Sequence, residues 1–196
     1  PSLEVRTLLA QEFRIETEIY VGNEEEPASR TVTLFEESAV YDFVENPTQV
    51  VVYRRGAGET KGQFVILDAN SKRRTDVDVK RIESLMKKID KWAGDQEDEL
   101  LNFCASPDFD ESFSETSGEL SLENKLWTYE AATVPVDEPG ALNRYREFTD
   151  NYARLNTMLH GTPPPGPRLK LNAALVKHGV APVEIRRTIN GNEKHQ

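Results

Sequence analysis

The spacing of hydrophobic residues changes near residue 79, and this change is the strongest constraint on the fold. Before it, apolar and polar residues alternate, as in the stretch from Phe13 to Val21. A period of two is typical of a strand with one solvated face. From Val79 to Trp92 apolar residues are spaced three and four apart instead, which is the spacing of one helical face. The sequence therefore predicts antiparallel strands followed by a helix over about 78–93.

The second half of the chain repeats this order of hairpin and helix. The stretch "GELSLENKLWTYEAATV" predicts a hairpin that turns at Glu123–Asn124, and Pro139-Gly140 opens a helix over about 139–159. The segment "HGTPPPGP" after it is too rich in proline to be a helix or a central strand. The acidic stretch 95–119 is expected to be an excursion anchored by phenylalanines, and "PVEIRRTI" is expected to be the last strand.

The stretch "DANSKRRTDVD" at 68–78 has the carboxylates of a calcium loop but not their spacing. An EF-hand loop counted from Asp68 needs oxygen ligands at its fifth and twelfth places and a glycine at its sixth. Lys72, Arg73 and Val79 occupy the fifth, sixth and twelfth places. The sequence therefore predicts a β-hairpin with a polar turn over 69–71 and no metal site.

The charge of the chain excludes several classes of partner. There are 34 acidic and 24 basic residues in 196, which gives a net charge of -10. This field repels nucleic acids and anionic membrane surfaces, and the apolar runs are too short for a membrane span. The length predicts one domain over 1–190, and we expect residues 191–196 to be a disordered tail.

We find no catalytic motif, metal site or cofactor site in the sequence. The three histidines lack the spacing of a helical zinc site, and Cys104 is the sole cysteine. In "GAGETKG" the lysine precedes the last glycine and a strand follows, so it is not a phosphate-binding loop. The chain also lacks the G-x-S-x-G motif of α/β-hydrolases. We therefore expect a protein that is not an enzyme and that uses no cofactor.

The order of elements resembles that of the LolA-like lipoprotein-carrier superfamily. The resemblance rests on the strand meander, on the strand-turn-strand-helix unit at 63–93 and on the later hairpin "ELSLENKLWTYEA". Members of this family fold as an unclosed β-barrel capped by helices and bind acyl chains. The resemblance implies an α+β fold in which a strongly curved antiparallel sheet, a half-barrel, is covered by two or three helices.

The same resemblance implies a hydrophobic ligand, such as a lipid or the acyl chain of a lipoprotein, in the concave face of the sheet. One face of the strands would line that site, and its expected residues are Phe13, Ile15, Ile19, Val32, Leu34, Val52, Phe64, Ile66, Trp127 and Tyr129. The alternative is that these residues pack against the helices. The protein would then be an interaction module with a filled core that docks a protein partner.

The resemblance also implies a periplasmic or otherwise exported protein. The sequence starts at Pro1 and not at Met. We expect a leader with a basic start and an apolar core to precede Pro1 in the reading frame.

Overall fold

The computed structural model describes residues 12–58 and 60–190, which form ten β-strands and four α-helices. The chain divides into two compact units, residues 1–79 and 80–196. The predicted tail, 191–196, lies outside the described residues.

The first unit contains a six-stranded antiparallel sheet in which each strand pairs with the next one in sequence. Short polar turns connect the strands, and this meander is the arrangement that period-two segments separated by turn residues favour. The stretch 31–44, whose sequence is compatible with one long strand or with two, forms parts of two strands. The strands are β1 (Phe13–Ile19), β2 (Ser29–Phe35), β3 (Ala39–Val44), β4 (Gln49–Arg54), β5 (Gln63–Asp68) and β6 (Arg73–Asp78).

One face of this sheet, the buried face, carries two rows of paired residues. Residues directly opposite in an antiparallel pair project from the same face. The residues of the first row are mostly aromatic, and those of the second surround a buried Thr33–Asp42 hydrogen bond of 2.6 Å. The first row is Phe13, Phe35, Val40, Tyr53, Phe64 and Val77, and the second is Ile15, Thr33, Asp42, Val51, Ile66 and Thr75.

The opposite face, the open face, is also apolar in its centre. Its rows begin and end on charged side chains, but four apolar residues lie between them in each row. These rows are Glu16, Val32, Phe43, Val50, Leu67 and Arg74, and Arg14, Leu34, Tyr41, Val52, Val65 and Asp76.

The β5–β6 connection confirms the predicted hairpin. The carboxylate of Asp68 accepts a hydrogen bond of 2.9 Å from the backbone N–H of Ser71, which is an Asx-type turn. Lys72 follows with a φ of 52°, in the left-handed region. The side chain of Asp68 therefore closes a turn and does not begin a metal loop.

The second unit contains a four-stranded antiparallel sheet and helices. The strand order is β10-β9-β8-β7. Its strands are β7 (Asp110–Ser114), β8 (Glu119–Asn124), β9 (Trp127–Pro135) and β10 (Val180–Ile189). The helices are α1 (Val79–Gly94), whose first residue belongs to the first unit, α2 (Glu99–Ala105), α3 (Pro139–His160) and α4 (Gly166–His178).

The core of the second unit lies between this sheet and helices α2 and α4. Alternate residues of β8 and β9 face the helices, as the period of a half-buried strand requires. Every member of the cluster is at least nine-tenths buried. They are Phe103, Cys104, Leu120, Leu122, Trp127, Tyr129, Ala131, Leu171, Ala174, Leu175 and Val180.

Two of the four helices were predicted and two were not. Helices α1 and α3 confirm the predictions over 78–93 and 139–159 within one or two residues. The acidic stretch contains α2, whose N-cap Asp98 accepts from the backbone N–H groups of Leu100 and Leu101, each at 2.9 Å. The prediction that the proline-rich segment "HGTPPPGP" is not helical was wrong at its C-terminal end, because α4 begins at Gly166 and has Pro167 in its first turn. The backbone N–H groups of the first turn have no partner within the helix, so proline is tolerated there.

The fold is therefore α+β with antiparallel sheets, as predicted, but with two sheets and four helices in place of one sheet and two or three helices. The two helices α1 and α2 come between the strand groups in sequence. Within the described ranges, no helix combines the length and the apolar character that crossing a membrane requires.

Candidate functional site

A groove of about 370 Å³ lies on the first sheet, where strands β1 to β4 run side by side. Its floor is apolar and comes from the open face: Val32 of β2, Phe43 of β3 and Val50 of β4 are cross-strand neighbours. Phe43 remains 42% exposed. The residues lining the groove are Glu16, Thr17, Glu18, Arg30, Thr31, Val32, Phe43, Val44, Glu45, Thr48, Gln49 and Val50.

The floor of the groove is apolar because the central strands carry apolar residues on both faces. In "VVVY" at 50–53 and in "FVIL" at 64–67 consecutive residues are apolar, so a single buried face cannot accommodate them all. The second set therefore lies on the open face, where Leu67, like Phe43, keeps about two-fifths of its surface exposed (40%). Phe43 and Leu67 lie on either side of Val50 in one row, and a contiguous exposed apolar patch is typical of a binding surface.

Charged side chains surround one end of the apolar floor. Glu18 lies opposite Arg30 in the β1–β2 register, and the backbone N–H of Glu45 donates to the carbonyl of Arg30 at 3.0 Å. The three side chains therefore stand at the same end of β1, β2 and β3. Glu16 also lines the groove, at the β1 side of the row that contains Val32 and Phe43, so carboxylates outnumber cations among the lining residues.

Glu18 is held by two hydrogen bonds, one to each of its carboxylate oxygens. The hydroxyl of Tyr20 donates to Oε2 at 2.7 Å, and Nε of Arg30 donates to Oε1 at 2.9 Å. Both bonds favour the charged carboxylate, so they lower the pKa of Glu18, the bond from Tyr20 contributing most. Glu18 therefore keeps its negative charge at neutral pH.

The ten residues predicted to line a ligand site do not share one surface. Eight of them lie in the first sheet, and the pairing register divides these between its two faces. Three are on the open face, and of these Val32 lines the groove. The open-face residues are Val32, Leu34 and Val52, and those on the side of the buried face are Phe13, Ile15, Ile19, Phe64 and Ile66.

The other two predicted residues, Trp127 and Tyr129, belong to the second sheet. Both lie in the core that helices α2 and α4 cover. Burial raises the pKa of Tyr129, and the guanidinium carbon of Arg187 lies 5.6 Å from the centre of the Trp127 ring. They act as packing residues of that core.

The sequence interpretation missed Phe43 and Val50 of the floor and the charged residues at its end. A signal for the floor was present, since β3 and β4 have apolar residues at both odd and even positions. No local pattern indicates that Glu18, Arg30 and Glu45 meet, because they come from three strands whose register is a tertiary property.

The second unit contains two further candidates for a reactive group, Cys104 and the Glu111 cluster. Burial raises the pKa of the Cys104 thiol to about 11, which leaves it a packing residue and not a nucleophile. Oε1 of Glu111 accepts from Nζ of Lys177 at 2.8 Å and lies 2.7 Å from Nε2 of His178. Across the part of the chain that the structure describes, no three His, Cys, Asp or Glu side chains converge as a metal site would require.

Comparison with known proteins does not assign the chain to a family: no family model, no curated protein and no solved structure matches it.

Proposed function

We propose that this protein binds a hydrophobic ligand, such as a lipid or an acyl chain, in the groove on the open face of its six-stranded sheet, and that it does so without catalysis. The proposal includes a strongly curved, LolA-like form for that sheet. It places the ligand on the face that carries the groove, whereas five of the eight predicted residues of this sheet lie on the side of the opposite face.

The apolar floor is the observation that supports this function. Val32, Phe43 and Val50 form one cross-strand row, and Phe43 is 42% exposed in a protein whose net charge is -10. The volume of about 370 Å³ falls within the roughly 300–1,000 Å³ of ligand pockets. Leaving this floor in water is unfavourable, and an apolar ligand would remove it from water.

The size of the groove sets a modest affinity. If about eight methylenes of an acyl chain contact the floor, their transfer from water contributes on the order of 6 kcal/mol, at about 0.8 kcal/mol each. Association and the ordering of the chain offset part of this. We therefore expect a Kd in the micromolar to millimolar range.

The test replaces Phe43 by threonine, which keeps a good strand former while removing the ring. Withdrawing roughly 50–60 Å² of apolar contact costs about 1.4 kcal/mol, so a solvatochromic fluorescent lipid probe should bind roughly tenfold more weakly to Phe43→Thr. The matched control is Val134→Thr, since Val134 is a 46% exposed strand residue of the second sheet.

Three outcomes are informative. Weaker binding by Phe43→Thr alone supports the groove. Equal weakening by both variants, or by neither, would refute the groove as the binding site. A probe that shows no saturable binding to the unaltered protein refutes ligand binding, and docking of a protein partner by a filled module then remains as the alternative function.

Export is part of the LolA-like proposal and has its own test. The reading frame upstream of Pro1 should encode a basic segment and an apolar core that end at the start of this chain. An initiator Met directly before Pro1, or a further folded domain there, would contradict export.

A further inference from the structure

The groove has an apolar floor and an acidic end, so it is complementary to an amphiphile, a molecule with an apolar chain and a polar head group. The floor continues from Val32, Phe43 and Val50 into the neighbouring row of the open face, Leu34, Tyr41 and Val52. An extended chain laid along the floor would therefore have its tail over this second row and its head group at the charged end.

The carboxylates at the charged end outnumber the cations. Glu16, Glu18 and Glu45 line the groove together with Arg30, so the four side chains carry a net charge of -2 (three negative and one positive). Nε of Arg30 is used by Oε1 of Glu18 at 2.9 Å. The positive charge of that guanidinium is therefore already offset by a carboxylate, which weakens its attraction for an incoming anion.

Glu16 lies in β1 and Glu45 directly follows β3, so these two carboxylates stand on either side of strand β2 and its Arg30. The main chain of Glu45 is held by its N–H bond to Arg30 and by Oγ1 of Thr48, which donates to its carbonyl at 3.1 Å. Glu16 pairs with Arg14 at 2.6 Å, but both side chains are more than half exposed. Such an exposed pair is weak and can exchange for another cation.

We propose that the ligand of this groove is a single-chain amphiphile whose head group is a cation, a primary or quaternary ammonium, bound beside Glu45 and Glu16. This inference rests on the proposed function, because it specifies the ligand of the same groove. The charge of the protein points the same way, since a net charge of -10 attracts cations and repels a fatty-acid carboxylate or an anionic phospholipid surface.

The test compares three dodecyl amphiphiles by isothermal titration calorimetry below their micelle-forming concentrations. They differ in head-group charge: dodecyltrimethylammonium is cationic, dodecyl maltoside is uncharged and dodecanoate is anionic. We expect the cation to bind roughly three- to tenfold more tightly than the maltoside, and the anion to bind most weakly, since exposed charge pairs contribute little each. Raising the salt concentration to 0.5 M should reduce this preference.

Variants assign the preference to the two carboxylates. Glu45→Gln and Glu16→Gln should each weaken binding of the cation about two- to fivefold and leave binding of the maltoside unchanged. Glu130→Gln is the matched control, because Glu130 is an exposed carboxylate of β9 in the second unit, and it should leave both affinities unchanged.

The results separate this inference from the proposed function. If the maltoside and the cation bind equally, or if Glu45→Gln and Glu16→Gln leave the cation's affinity unchanged, the head-group inference is overturned and the apolar groove stands. If dodecanoate binds most tightly, the inference is wrong, because the groove then prefers an anionic head group. If none of the three amphiphiles binds, the proposed function itself fails.

Discussion

Residues Phe64 and Leu67 of strand β5 test whether the two faces of the first sheet are assigned correctly. They lie three residues apart and project from opposite faces. Phe64 is 0% exposed, whereas Leu67 is 40% exposed. The perturbation is therefore a pair of matched truncations, Phe64→Ala and Leu67→Ala, within one strand.

The expected costs differ because the lost contacts differ. Phe64 pairs with Tyr53 on one side and Val77 on the other, and its ring centroid lies 4.8 Å from that of Tyr53. Truncating a buried phenylalanine leaves a cavity and costs about 3–5 kcal/mol, and an aromatic pair adds to its loss. Truncating the half-exposed Leu67 should cost about 1 kcal/mol, between the values for surface and core positions.

The free energy of unfolding should be measured by urea titration followed by far-UV circular dichroism. Both tryptophans, Trp92 and Trp127, belong to the second unit, so circular dichroism is used because it reports the strands of the first sheet directly. Phe64→Ala should lower the urea midpoint by roughly 1–3 M, and Leu67→Ala by less than about 1 M.

The ranking of the two variants is the critical result. Equal losses, or a larger loss in Leu67→Ala, would refute the pairing register, because a shift of one residue exchanges the two faces. If Phe64→Ala loses stability while Leu67→Ala keeps the fold, truncations on the open face can be used in binding experiments without unfolding the sheet.

Three further predictions concern the second unit. Gly166→Ala should destabilise the protein by about 1–3 kcal/mol in a thermal or urea melt, because an added Cβ would collide with the backbone carbonyl of Cys104; an unchanged melt would contradict this close packing of α2 and α4. The Cys104 thiol, with its pKa raised to about 11, should be roughly one part in a thousand ionised at pH 8 and should react with Ellman's reagent only after unfolding; rapid reaction of the native protein would disprove its burial. The pKa of Glu111 is lowered from 4.5, first by the hydrogen bond from Lys177 and then by that from His178. Its contribution to stability is therefore present above pH 4.5 and lost as the pH falls through the lower native value, so the stability difference between the unaltered protein and Glu111→Gln should shrink in melts below pH 4.5.

Local pattern was sufficient to predict much of the strand meander and two of the helices. A strand with alternating faces, a turn such as Asp68–Ser71 and a helical face such as that of α1 are each specified within about ten residues. Their signals come from backbone geometry and turn chemistry, which neighbouring residues determine. The β5–β6 hairpin and α1 were therefore predicted with nearly correct bounds.

Helix α4 shows where local pattern failed. It begins in a proline-rich segment, and it is apolar on several sides because it lies against the sheet, α2 and α3. Asn172, for example, is fully buried, and its Nδ2 donates to Asp150 of α3 at 2.7 Å. A helix that is covered on several sides lacks the single apolar stripe from which helices are recognised.

For the candidate site, too, some features follow from the sequence and others from the tertiary structure. The sequence by itself determined that β2 to β5 carry apolar residues, since "VTLF", "VVVY" and "FVIL" are apolar in composition whatever the fold. Only the tertiary structure decided which of those residues are buried: Phe64 is 0% exposed and Phe43 is 42% exposed, although both lie in apolar strands. Register, a relation between strands distant in sequence, decided that Glu18, Arg30 and Glu45 lie side by side next to Phe43's row. The two faces of an apolar strand are equivalent in the sequence, and they become different only when the tertiary structure removes one of them from water.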